Sequence, residues 1–367
     1  MRKGALLFLA CAVLFAACSS KTANPAASSS APVASHSAGP SVGPTKKPAH
    51  VVSARQALYL YQNAIWLYDV KTNKTRQVTQ GGSVSMPKWI DATHFSFVQG
   101  GNTLRIVDLT SSALSDVFTA PGGIQAYGWS PDGETVAYIE TDSSSYPHLR
   151  YRSLADGATQ SVATLARALG RGVAQDEDLR IQFSKDGSDV LIVYTPADGD
   201  GTVPPDQSQF QVRGSDGSLA FSVDMSGEPT MGLFSNDGKT VYYMVSNRVR
   251  AWTATDGSTR TVRKIQWFNP WQSPDGTQIA FDTGDFSTKV RVKVMDTRSL
   301  LVTTVSGPGR AFPVFAGPHS LWVEQVSPCA DVCEGPVLGS VYILDTGTKA
   351  EKRLPIQSLL QVDVLYG

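Results

Sequence analysis

An all-β fold of seven four-stranded blades, a β-propeller, is what three features of this 367-residue sequence predict. One short pattern recurs four times: Trp129-Ser130-Pro131-Asp132-Gly133, Phe183-Ser184-Lys185-Asp186-Gly187, Phe234-Ser235-Asn236-Asp237-Gly238, and Ser273-Pro274-Asp275-Gly276 after Trp271. Between copies lies a second hairpin, as around Asp156-Gly157 and Asp256-Gly257, which makes four short strands per repeat. No long run of period 3.6 interrupts them, so helices do not build the core.

In chain order, Arg2 and Lys3 precede a short apolar run from Ala5 to Ala17, too short to cross a bilayer comfortably and read as an export signal over residues 1–17. Leu14-Phe15-Ala16-Ala17-Cys18 resembles a bacterial lipobox, which implies lipid attachment at Cys18; the alternative is an ordinary secretory signal. Residues 18–54 are rich in Ser, Ala, Pro and Gly and are expected to form a disordered tether spanning roughly 30–35 Å. The folded body is expected over residues 55–367.

Within the body, Asp-Gly between apolar runs is the strongest short-range hairpin signal, because glycine takes positive φ without a Cβ clash. Six blades are expected to begin near Trp89, Trp129, Phe183, Phe234, Trp271 and Phe315. A seventh starts the body with only three strands, Ala57 to Tyr61, Ile65 to Val70 and Thr75 to Val78. Leu359 to Tyr366 has no partner hairpin, and placing it as the missing innermost strand closes the ring and removes two sheet edges. The other count is six blades with ragged ends.

The aromatic-Ser-Pro-Asp-Gly turns resemble those of TolB-type, or WD-repeat-like, bacterial propellers over about 310 residues. That resemblance implies the fold and leaves function open, because one scaffold hosts unrelated activities.

Charge is balanced, with 32 basic and 32 acidic residues, and loss of Arg2 and Lys3 with the signal leaves about −2. This excludes the broad basic surface that non-specific nucleic-acid binding requires. The body holds no Gly-x-Ser-x-Gly nucleophile elbow, no His-Glu-x-x-His and no phosphate-binding glycine loop. His94, His148 and His319 read as solvated turn residues, and the repeated turn aspartates as backbone acceptors rather than a metal ring.

Candidate binding residues at the funnel and loop-rich face are the acidic ends of second strands, Glu140, Asp282 and Glu324, with Lys88, Arg310 and Trp267 near innermost strands. Cys329 and Cys333 are expected to form a disulfide, with free thiols or a metal pair as alternatives. No cofactor is expected; Asp198, Asp200 and Asp206 faintly resemble an oxygen-ligand Ca²⁺ loop, though no glutamate closes it. The expected protein is a monomeric, exported lipoprotein, anchored to the membrane by its N-terminal lipid. Its propeller binds a protein or glycan of the cell envelope without catalysis. The alternative is a propeller enzyme, a lyase, lactonase or glycan hydrolase, working through carboxylates or a metal in the funnel.

Overall fold

The recurring turn builds itself from three side-chain hydrogen bonds. In each copy the serine hydroxyl donates to the aspartate, at 2.5 Å for Ser130–Asp132, 2.7 Å for Ser184–Asp186, 2.5 Å for Ser235–Asp237 and 2.6 Å for Ser273–Asp275. The aspartate accepts the backbone N–H two residues on, and the serine oxygen accepts the N–H five residues on, 2.9 Å from Thr135, Asp189, Thr240 and Gln278. Gly133 and Gly187 take φ of 73° and 74°, which a Cβ would oppose.

In a computed structural model, residues 52–144, 146–165, 179–194, 210–223, 230–283, 289–327, 337–359 and 361–367 are described. The expected signal and residues 18–51 of the expected tether, Cys18 included, the Cys329–Cys333 pair, and Asp198, Asp200 and Asp206 lie outside them; Ala54, placed in the tether by the sequence, instead opens the first strand. The described residues form seven four-stranded antiparallel sheets and no helix, so seven blades, not six, is the count.

Blade 1 pairs Ala54–Tyr61, Ala64–Asp69 and Lys74–Gln77 with Asp363–Tyr366, its innermost strand, as the unpartnered C-terminal stretch predicts. The closing strand runs antiparallel, with Ala57 opposite Val364 and Leu58 opposite Asp363. The other innermost strands are Val84–Trp89, Ile124–Trp129, Leu179–Phe183, Thr230–Phe234, Phe268–Gln272 and Arg310–Gly317.

Apolar alternation puts the core between blades rather than inside one. Seven buried clusters each join successive blades. Leu58 and Ile65 of blade 1 meet Phe95 and Phe97 of blade 2 in one of them. Ala57, Tyr59 and Val364 of blade 1 meet Trp322, Val326 and Val341 of blade 7 in another, which completes the circle. The strand-end tryptophans bridge blades through their indole N–H as well: Trp129 donates to Ser96 at 2.7 Å, and Trp89 to the Asp363 carbonyl at 3.2 Å.

The turn aspartates predict acid lability. The Ser184 hydroxyl, then the N–H and hydroxyl of Ser188, hold the Asp186 carboxyl at about 2 against an ordinary 3.8. At Asp91 burial pushes the other way, yet four hydrogen bonds from Thr93 and His94 keep that carboxyl at about 2 as well. A depressed carboxylate stabilises the fold above its unfolded value and loses that contribution as pH falls through the folded value. The denaturant midpoint is therefore expected to stay flat down to about pH 5 and to drop between about pH 4 and 2. A midpoint that held constant to pH 2 would contradict this origin.

Candidate functional site

Five of the innermost strands carry a β-bulge before they run down the ring. In four of them one residue within the bulge is left-handed: Met86 at φ 53°, Met231 at 56°, Asn269 at 49° and Phe312 at 52°. A bulged residue leaves the ladder, so its N–H must find another acceptor. Met86 N–H donates to Gln361 Oε1 at 2.7 Å, and Phe312 N–H to Asp282 Oδ2 at 3.1 Å. The bulges turn these strand entrances toward the axis, where the chain leaves open space.

Two cavities, of about 190 and 600 Å³, meet there. They share Lys88, Arg180, Pro270, Trp271, Val362 and Asp363 and so form one continuous axial site. Its first part is walled by Pro87, Tyr127, Phe312, Pro313 and Leu359, with Asn269 and Gln361 as further polar groups. The second part reaches the Ser-x-Asp-Gly turns at Lys185, Ser235 and Pro274.

Lys88 and Asp363 keep surface open to this space while lying deep in the ring. Desolvation pushes the Lys88 amine below the usual lysine range; Asp363 opposes that shift and Arg180 adds to it. Desolvation likewise raises the Asp363 carboxyl, against the pull of Lys88 and of the backbone N–H groups of Trp89 and Val364. Asp363 Oδ2 accepts the Trp89 N–H at 2.6 Å. The Lys88 ammonium sits 5.7 Å from the Tyr127 ring centroid, and Arg180 Nη1 donates to the Gly232 carbonyl at 3.1 Å.

Of the six residues the sequence nominates here, Lys88 lines the axial site. Glu140, Asp282 and Glu324 are buried and bind backbone. Glu140 accepts the Gly122 N–H at 3.0 Å and pairs with Arg150 at 2.6 Å. Asp282 also accepts Asn269 Nδ2 at 2.8 Å, and Glu324 takes the Leu359 N–H at 2.8 Å. Arg310 lies along its own blade, 2.7 Å from Glu351 and 4.5 Å from the Tyr342 ring centroid. Trp267 is fully buried against Phe281, at 6.1 Å between ring centroids. Arg180 and Asp363 carry no distinguishing mark in the sequence; the one available signal is a charged side chain within an innermost strand.

Among the described residues, no three His, Cys, Asp or Glu side chains gather as for a metal ion. No described helix is long and apolar enough to cross a membrane.

No family model and no curated protein matches the chain. Solved structures do. An oligogalacturonate lyase from Vibrio parahaemolyticus aligns at TM-score 0.58 and 14% identity, over 83% of this chain and 93% of that one. An oligogalacturonate lyase in complex with manganese aligns at 0.57 and 14%, over 75% and 81%. TolB from Acinetobacter baumannii aligns at 0.46 and 15%, over 84% and 82%. The chain is a seven-bladed β-propeller. At such identities the likeness speaks for the propeller fold alone.

Proposed function

We propose that the protein is an exported lipoprotein, held at the extracytoplasmic side of the cell membrane by lipid on Cys18. Its propeller then acts as a non-enzymatic, monomeric binding module for a protein or glycan of the cell envelope. The lipobox resemblance supports the anchor. One observation carries the binding role: three cations, Lys88, Arg180 and Lys185, line the axial site with one carboxylate, Asp363. Around Lys88 and Arg180 the walls of the first part are largely proline and aromatic, so an anionic group entering there meets positive charge beside apolar surface, where attraction is stronger than in water. A carboxylate carried on an apolar or sugar stem fits this chemistry.

The test is capture from solubilised envelope by the wild-type protein and by Lys88→Met/Arg180→Met. A partner retained by the first and reduced at least about tenfold with the second, at similar Tm, is the expected result. Equal retention by both overturns the axial reading.

A second reading, an enzyme acting in the same space, has one observation behind it: burial pushes the Lys88 amine below the usual lysine range beside Asp363, the direction that eases proton transfer. Incubation with oligogalacturonate, followed by the ultraviolet absorbance of an unsaturated product, separates the two. Turnover that disappears in Lys88→Met would replace the binding role with catalysis.

A further inference from the structure

Residues 248–264, the outer hairpin of blade 5, carry five cations, Arg248, Arg250, Arg260, Arg263 and Lys264, and one carboxylate, Asp256. Asp256 is occupied in its own turn, accepting the Ser258 N–H at 3.0 Å. In the pairing of Arg248–Thr253 with Thr259–Lys264, Arg248 stands directly opposite Lys264. Like charges in that relation repel and destabilise a sheet.

Comparison with other blades sharpens the point. Arg105, Arg150 and Arg250 each follow the register shift in the third strand of their blade. Arg105 meets Asp116 and Arg150 meets Glu140, both at 2.6 Å. Among the described residues Arg250 reaches the Thr259 hydroxyl, at 3.4 Å, and meets no carboxylate. No described carboxylate lies within ion-pair distance of any of the five cations. Charge on an edge strand does deter strand pairing, but a mixture of signs achieves that equally well.

From this one-signed edge, self-repelling at Arg248 and Lys264, we infer that the outer edge of blade 5 docks on a bilayer rich in anionic phospholipid. The form of the row selects the partner. Six residues of strand extend about 20 Å, long enough to meet several headgroups at once, whereas one small anion would satisfy only one or two of the cations. Attraction to an anionic leaflet accumulates with each lysine or arginine near the surface and fades within about 10 Å, so a neutral protein binds only through a local row of this kind. The row lies on the third and fourth strands of its blade, and no cation in it lines the axial site. It therefore stands whether or not the axial binding role does.

The test is flotation of the expected mature chain, residues 18–367 with Cys18→Ser so that no acyl chain contributes. The vesicles are phosphatidylcholine alone or with about one third phosphatidylglycerol. Binding is expected on the anionic vesicles only, weakened by added salt. Arg248→Gln/Lys264→Gln, which relieves the cross-strand repulsion, should reduce it about tenfold. Lys71→Gln/Lys74→Gln, the same change in net charge on the outer hairpin of blade 1, should leave it within about twofold. Equal loss in both variants, no loss in the first, salt-independent binding, or binding to soluble polyglutamate without binding to vesicles would each overturn the assignment.

Discussion

A chain ending at Val362 is expected to lose its cooperative unfolding transition and to aggregate. The missing residues include the innermost strand of blade 1, whose partners are Ala54 to Leu58. Val364 belongs to the cluster joining blades 7 and 1, and Tyr366 packs against it. Tyr366 also accepts the Trp271 indole N–H at 3.0 Å and donates to the Phe315 carbonyl at 2.8 Å, linking blades 6 and 7 to blade 1. Re-exposing Val364, Leu365 and Tyr366 costs about 5 kcal/mol, before any loss of ladder hydrogen bonds. That is the size of the whole stability of many domains. The opened ring also leaves the inner edge of Ala54–Tyr61 unpaired, the usual route to association. Differential scanning calorimetry with light scattering reads both effects; a truncated chain melting within a few degrees of the full one would show that closure is dispensable.

Asp282→Ala is expected to destabilise the fold more than the loss of any single turn aspartate. The side chain is fully buried and receives the Phe312 N–H of blade 7 together with Asn269 of its own blade. Phe312 is left-handed inside a bulge, so no strand neighbour can take over as acceptor. Removing the carboxylate strands buried donors at a cost of about 3 kcal/mol, which lowers Tm by several degrees. Asp282→Asn, which keeps one acceptor oxygen, should recover a large part of the loss. Should Ala and Asn behave alike, hydrogen bonding at this position is not what joins blades 6 and 7.

Most of the architecture was legible because its signals are local. Ser130 to Gly133 and the three matching turns carry their own hydrogen-bond pattern within six residues, so they announce a strand pair wherever they occur. The closing strand was legible for a different reason: an apolar stretch without a hairpin partner must find one elsewhere. The axial site is harder to read because its members are far apart in sequence, with Met86 and Gln361 separated by 275 residues and nonetheless bonded. Lys88 could be nominated from its place near an innermost strand. Arg310, nominated on the same ground, instead meets Glu351 and the Tyr342 ring on its own blade. Which of two similar cations reaches the axis depends on what the neighbouring strands offer it, and that pairing exists only after folding. Glu140, Asp282 and Glu324 illustrate the same limit: bulge N–H groups and strand entrances claim acceptors that no local pattern reveals.

The pairing of Asp363–Tyr366 with Ala54–Tyr61 also sets a timetable. Blade 1 precedes the others in the chain yet cannot acquire its innermost strand until some 300 residues later, so its edge stays unsatisfied until all the other blades have been made. Contacts between such distant segments form late and slowly. Joining the two ends of the circle is therefore expected to be the slow step of folding, whatever order the intervening blades follow.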